Sequence, residues 1–369
     1  KRSVFRPVRE LWTQYSAGAI VAKSTFGTVL ALEEGMVAKI LRFGRMGSVC
    51  VKIVKQKDHP LAAEWTAQEL ERYMAMLSTL NHINVVHYRG IYKDATQFFF
   101  MMNLCQGPEL GTYLMENAQT FSEDCARLLT WEMLSALQYI HGKGIMHRDV
   151  KLSNLIFDKP GPDGRLVLVD FGLGALYTDS VHRSRFGTEG FVAPEVLEGK
   201  PYGPGIDLFS AGVVLYIMLH GRPPFRHRSK SEYLQQVYTG PGRSERISTA
   251  SYRFVRALLN PSRRGRITAS RALNDMWILQ QQSTRGALWP DSDLRFFAIC
   301  SAWPGGSTSK VLSGKFNMVE LPVLDETTED EAAEGMVWQE GIHTGGSPTR
   351  HPFPLPLRER QCNEILMKK

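Results

Sequence analysis

The chain has 369 residues, 43% hydrophobic, 22% charged and 10% aromatic, enough to bury a large core as one bilobal unit or two domains and too apolar for wholesale disorder. No apolar run approaches the roughly 18 residues that span a bilayer, so no membrane span is expected. The net charge of +7 is spread along the chain without interleaved aromatics, which excludes nucleic acid as an expected partner; five scattered cysteines (Cys50, Cys105, Cys125, Cys300, Cys362), with no CxxC pair, argue against a disulfide framework or zinc site and for a reducing, intracellular setting that is cytoplasmic by expectation.

Residues 14–57 alternate short β-rich runs with glycine-containing turns, first Val21–Leu32 and then Val49–Val54, which predicts a small antiparallel sheet. Trp65, Leu70, Tyr73, Met74, Leu77 and Leu80 recur at helical spacing and predict one amphipathic helix over 62–80. Phe98–Met102 reads as a buried strand, and Gly107-Pro108 as a break between two lobes. From about residue 110 helical patterns dominate, the longest being Cys125–His141 and Ile206–His220. A hairpin interrupts them: Leu155-Ile156-Phe157, a turn through Pro160-Gly161-Pro162-Asp163-Gly164, then Leu166–Val169. Periodicity ends near Gln282. Beyond it lie an acidic run, Asp325 to Glu334, without calcium-loop spacing, and a polyproline-like Pro352–Pro356.

The chemistry concentrates in His147-Arg148-Asp149-Val150-Lys151-Leu152-Ser153-Asn154, followed in order by Asp170-Phe171-Gly172 and Ala193-Pro194-Glu195. Phosphoryl transfer needs phosphates and metals held, charge neutralised and an acceptor hydroxyl aligned. Asp149, on a loop after a long helix, can accept the proton of a substrate hydroxyl. Lys151 can neutralise charge on the moving group. Asn154 offers an amide oxygen, and Asp170 a carboxylate, to Mg²⁺.

With these residues in place, the stretch from Tyr15 to Leu279 resembles the serine/threonine protein kinase family. It is most similar to the calcium/calmodulin-dependent and calcium-dependent kinase group, through Asn81–Val86, Gly187–Glu195, Leu219–Phe225 and Asn274–Ile278. The resemblance implies an α+β fold with a small β-rich N-lobe and a larger helical C-lobe. It also implies ATP and Mg²⁺ as cofactors, and proteins with Ser or Thr acceptors as substrates. Lys151 and Thr188 match the serine/threonine form, and Leu173 implies a mild preference for serine. Asp207 matches a buried carboxylate that anchors the catalytic loop. Glu195 is expected to pair with Arg266, although Ser262–Gly265 is two residues longer than usual. Met102 falls at the gatekeeper position, Asn103–Cys105 at the adenine-facing hinge and Glu109 at the ribose position.

The N-lobe departs from the family pattern. The phosphate-covering loop reads Ala22-Lys23-Ser24-Thr25-Phe26-Gly27-Thr28-Val29, with Gly27 alone of the three glycines retained, so weaker ATP binding is expected. Two lysines compete for the phosphate role: Lys52 in Val49-Cys50-Val51-Lys52, and Lys39, which lies too near Gly27 for two full strands and a turn. Lys52 is favoured, with a long turn around Gly35–Gly47. Tyr73 occupies the place of the ion-pairing glutamate. Either Glu69, one turn earlier on the same face, serves Lys52, or the pair is missing; Glu69 is carried as the candidate.

The expected plan is an N-terminal extension over residues 1–14, a kinase domain over 15–280 (N-lobe 15–103, C-lobe 104–280) and a partly disordered extension over 281–369, the segment for a regulatory partner. Thr178, Ser180 and Ser184 are candidates for phosphorylation that orders their segment through Arg148. Ser153, where basophilic relatives carry an acid, implies weak selection of upstream Arg. The rival reading is a pseudokinase acting as a binding or allosteric scaffold, motivated by Ala22, Ser24 and Tyr73.

Overall fold

A sheet strand buried on both faces must show apolar side chains along its run, and residues 98–102 do. The computed structural model, which describes residues 5–24, 27–34, 49–55, 66–119, 121–161, 163–177, 182–225, 229–245 and 247–280, makes this segment an interior strand of a six-stranded sheet. The small lobe runs β1 (Arg6–Pro7), α1 (Val8–Gln14), β2 (Tyr15–Ser24), β3 (Gly27–Glu34), β4 (Val49–Lys55), α2 (Ala67–Ser78), β5 (Tyr88–Lys93) and β6 (Gln97–Asn103). The strand order is β1-β5-β6-β4-β3-β2. Seven antiparallel pairs, from Val49↔Asn103 to Lys55↔Gln97, lock β4 to β6.

That register sorts side chains by parity. Val49, Val51, Phe99 and Met101 face outward with Leu32 and Tyr92, while Cys50, Val54, Phe98, Phe100 and Met102 face α2 and the large lobe. A one-residue slip would exchange the two faces, and each buried side chain of this size is worth roughly 1.5–3 kcal/mol. The outer face is covered by the segment expected as an extension. β1 pairs parallel with β5 through Arg6↔Tyr92 and Pro7↔Lys93, and α1 buries Leu11 completely among the outward residues. Trp12 meets Phe99 edge to face at 6.1 Å, and Phe5 stacks on Phe98 at 5.5 Å. Residues 6–14 therefore belong to the small lobe's packing.

The large lobe contains α3 (Leu110–Glu116), α4 (Glu123–Gly142), β7 (Ile145–Met146), β8 (Leu155–Phe157), β9 (Leu166–Leu168), β10 (Ala175–Leu176), α5 (Pro194–Leu197), α6 (Gly205–His220), α7 (Lys230–Thr239), α8 (Thr249–Leu258), α9 (Ala269–Leu273) and α10 (Met276–Leu279). α4 starts where Ser122 accepts a hydrogen bond from the Cys125 amide, with Glu123 and Asp124 in the first turn. α6 is buried on every side from Ile206 to Met218, the pattern of a central helix, and stops at Gly221 with φ 65°.

The lobes are tied, among other places, at the hinge and at the back. At the hinge, Gly107 N–H donates to the Phe157 carbonyl at 3.0 Å, and a Cβ at 107 would lie 2.6 Å from Phe157 Cβ. At the back, the loop between α2 and β5 docks on β9: Leu168 N–H donates to Asn84 O at 2.9 Å, Val86 N–H to Leu168 O at 3.0 Å, and the Asn84 amide to Leu166 O at 2.8 Å. The result is the expected bilobal α+β fold. Among the described residues no helix is long and apolar enough to cross a membrane.

Candidate active site

The loop 147–154 follows β7 and is held from below by one carboxylate. Asp207, near the start of α6, accepts the His147 amide at 2.9 Å, the Arg148 amide at 2.8 Å and His141 Nε2 at 2.8 Å. Burial by itself would raise the Asp207 carboxyl, but the His141 hydrogen bond and the two imidazoles hold it below its ordinary value. This grip supports Arg148 at φ 66°, a left-handed conformation costly for a non-glycine residue. His147 Nδ1 accepts the Asp149 amide at 3.3 Å, which leaves Nε2 to donate to the Val169 carbonyl at 2.9 Å.

Three side chains converge on Asp149. Thr188 Oγ1 donates to Asp149 Oδ1 at 2.5 Å, and Lys151 Nζ donates to Thr188 Oγ1 at 2.9 Å and to Asp149 Oδ2 at 2.8 Å. The Asn154 amide donates to the Asp149 carbonyl at 2.8 Å and to Oδ2 at 3.0 Å. The carboxylate is thus fixed in rotamer, and Lys151 lies against it. Thr188 entered the sequence reading only as a marker of acceptor type; its hold on Asp149 is invisible there because 39 residues separate the two.

Asp170, on the large lobe after β9, has φ 61°, and its Oδ1 accepts the Gly172 amide at 3.2 Å and Lys52 Nζ, from the small lobe, at 2.5 Å. Burial opposes ionisation, but the Lys52 ammonium overrides it and brings the carboxyl to about 2. Lys52 is on β4 opposite Val29 and Phe100, buried in the cleft. The competing Lys39, and the turn around Gly35–Gly47, lie outside the described residues.

The expectation for Glu69 is overturned. Thr66-Ala67-Gln68-Glu69 is a capping box: Thr66 Oγ1 accepts the Glu69 amide at 3.3 Å, and Glu69 Oε2 accepts the Thr66 amide and hydroxyl, both at 2.8 Å. These bonds to Thr66 lower the Glu69 carboxyl below its ordinary value. The side chain is exposed and committed to the unpaired N–H groups of the helix start, so it does not reach Lys52. Among the described residues, no glutamate of α2 pairs with Lys52. Tyr73, fully buried, instead donates from its phenol to the Phe171 carbonyl at 2.8 Å.

The remaining candidates fall as follows. Ala22↔Val29, Lys23↔Thr28 and Ser24↔Gly27 pair across a tight β2–β3 hairpin, with Ala22 exposed and Val29 packed against the core. Met102 is buried opposite Cys50 and Tyr88, and Asn103 accepts Arg89 Nε at 2.7 Å. Cys105 is half-buried at the hinge; burial pushes its thiol, like that of Cys50, up to about 12. Glu109 sits at the N-cap position of α3 without a side-chain capping bond, and its backbone bridges to Ile156. Glu195 and Arg266 form a buried bidentate pair at 2.6 and 2.9 Å, undisturbed by the longer Ser262–Gly265 loop. Arg148 reaches the Leu173 carbonyl, the Tyr202 hydroxyl at 3.3 Å and the face of Phe186 at 5.1 Å. Thr178 and Ser180 lie outside the described residues, while the Ser184 carbonyl accepts Tyr202 Oη at 2.9 Å.

The donor set fits Mg²⁺, which takes one or two protein oxygens and fills its octahedron from water and phosphate. The Asp170 carboxylate and the Asn154 amide oxygen are hard ligands of that kind, and Lys52 brings a cation for phosphate beside them.

Fold and site together define a protein kinase: two lobes, an anchored Asp149 loop, and an Asp170–Lys52 pair that links the lobes. Residues 33–278 match the family described as protein kinase domain, and the chain belongs to it. It is 34% identical over 215 residues to calcium/calmodulin-dependent protein kinase type 1B of Homo sapiens, covering 57% of this chain and 62% of that protein. Type 1 of Macrobrachium nipponense is 32% identical over 235 residues, covering 62% of this chain and 67% of that protein. Calcium-dependent protein kinase 11 of Arabidopsis thaliana is 34% identical over 277 residues, 73% of this chain and 53% of that protein. These relatives fall in the group that the sequence motifs resemble. The chain spans between half and about two thirds of the length of these curated relatives.

Proposed function

We propose that this chain transfers the γ-phosphoryl group of Mg-ATP to serine and threonine hydroxyls of proteins. The observation that carries the reading is the closed network around Asp149, with Thr188, Lys151 and Asn154 each bonded to it. Asp149 takes the proton as the substrate oxygen bonds to the γ-phosphorus and the bond to the β–γ bridging oxygen breaks. Lys151 offsets negative charge on the group in transfer. Asn154 and Asp170 hold Mg²⁺, which when bound neutralises charge on the phosphate oxygens. Lys52 holds the α- and β-phosphates. Val29, Met102, Asn103 and Cys105 enclose the adenine, Glu109 faces the ribose, and the Ala22–Gly27 hairpin covers the phosphates. A positioned base contributes about 10²–10⁴-fold and electrostatic stabilisation a similar share.

The reaction belongs inside the cell, in keeping with free thiols at Cys50, Cys105 and Cys125. Residues 281–369, outside the described part, are the segment for a regulatory partner; the names of the relatives make calmodulin the first to try. The test is incubation with labelled ATP, Mg²⁺ and a serine peptide library beside Asp170→Asn. Transfer that Asp170→Asn abolishes supports the reading. No transfer above that control sinks it and leaves the scaffold role.

A further inference from the structure

We infer that Tyr73 is a positioning residue: its phenol, hydrogen-bonded to the Phe171 carbonyl, does the work of the missing helix glutamate by coupling α2 directly to the backbone that sets Asp170. The inference rests on the kinase reading for its catalytic consequence, but its structural basis stands apart from it. Tyr73 lies on the inner face of α2, one residue from the fully buried Met74 and four from Leu77. Its hydroxyl crosses to the residue after Asp170. The Phe171 carbonyl belongs to the same planar peptide unit as the Gly172 N–H, which donates to Asp170 Oδ1 at 3.2 Å, so fixing that unit restricts the Asp170 carboxylate, which meets Lys52 at 2.5 Å.

A second observation shows that the site is built for this phenol. Gly174 leaves the space: a Cβ there would lie 1.9 Å from Tyr73 Oη and 3.0 Å from Cζ. Any other residue at 174 would expel the hydroxyl. The ring of Phe171 is meanwhile held edge-on between Tyr88, at 6.3 Å, and His147, at 4.8 Å, so the backbone unit gripped by Tyr73 is also packed from both lobes. Burial keeps the phenol well above its ordinary pKa and therefore protonated, a donor at every working pH. A glutamate at 73 would be an acceptor facing a carbonyl, the wrong partner for Phe171.

The chemical consequence is a division of labour. In a helix-glutamate arrangement one carboxylate holds the lysine, and the lysine holds phosphate. Here Lys52 is held by Asp170, and the helix acts on Asp170 through the backbone. Loss of the phenol should therefore appear first in the metal requirement, not in peptide binding.

The experiment uses the full chain as wild type, Tyr73→Phe, Tyr73→Glu, Gly174→Ala and the Tyr73→Phe/Gly174→Ala double variant. Two readouts are taken: the Mg²⁺ concentration needed for thermal stabilisation by a non-hydrolysable ATP analogue, and kcat and KM on a serine peptide. Tyr73→Phe should raise the Mg²⁺ requirement and lower kcat by about three- to tenfold, the range of one neutral hydrogen bond, with peptide KM changed less than about twofold. Tyr73→Glu should be worse than Tyr73→Phe. Gly174→Ala should cost at least as much as Tyr73→Phe, and less when the hydroxyl is already gone. Tyr73→Glu equal to or better than wild type would overturn the inference, as would a Tyr73→Phe protein whose melting point falls while its Mg²⁺ requirement stays put. If wild type transfers no phosphoryl group, the kinase reading fails, and the analogue-binding arm still decides the role of Tyr73.

Discussion

Thr188→Val removes one hydroxyl and almost no volume, so it tests the two bonds of that hydroxyl, to Asp149 and from Lys151. In the folded protein that hydroxyl donates to Oδ1 at 2.5 Å and accepts from Lys151 at 2.9 Å. A hydrogen bond to a charged group is worth about 1.5–3 kcal/mol. Lys151 still reaches Asp149 Oδ2 at 2.8 Å, and Asn154 still holds it at 3.0 Å, so the carboxylate keeps two of its three side-chain partners. The loss should therefore be partial: kcat down by about 10- to 100-fold at 1.36 kcal/mol per decade, with the KM for ATP little changed. Because Thr188 is buried beside Phe191 and Val192, valine packs in its place and the melting point should shift little. Steady-state kinetics on a serine peptide, with Thr188→Ser as the restoring control, measures this. A Thr188→Val enzyme with wild-type kcat would refute the claim that the network positions Asp149.

Three further outcomes follow from the same geometry. Glu69→Ala removes the capping box and should lower the melting temperature modestly, while the ATP KM moves less than about twofold; a tenfold rise would return Glu69 to the nucleotide site. Asp170, at about 2 when folded against an ordinary 3.8, adds stability that is present above pH 3.8 and lost as pH falls through about 2. The melting-point gap between wild type and Asp170→Asn should hold at neutral pH and close over that acid window; a gap independent of pH would contradict the Lys52 pairing. Ser24→Gly removes a side chain from the position paired with Gly27 across the β2–β3 hairpin and should lower the ATP KM, measured at saturating peptide.

Much of the large lobe was legible in the sequence because its signals are local. The run Ile206–His220 and the pattern 125–141 became α6 and α4 with ends moved by one or two residues. The hairpin read through Pro160–Gly164 joins β8 to β9. Lys52 was separated from Lys39 by strand geometry, and it lies on β4 opposite Val29 and Phe100. The small lobe was harder to read. Glu69 was assigned by helical facing, although Thr66-x-x-Glu69 spells a capping box; orphan amides at the helix start claimed its carboxylate. Tyr73 was seen as a replacement, but its role depends on Phe171 and Gly174, 98 and 101 positions away, and no periodicity reports such a contact.

The docking of residues 6–14 on the small lobe bears on where this polypeptide can be shortened. The family match opens at residue 33, inside β3, and a fragment cut there would lose β2 and the helix that shields Tyr92, Phe99 and Met101. Even a cut at residue 15 would bare the outer apolar face and leave the β5 edge without its parallel partner at Tyr92 and Lys93. Such a surface invites self-association. Solubility of truncated proteins therefore depends on Leu11 and Trp12, which pack on the outer face of the sheet.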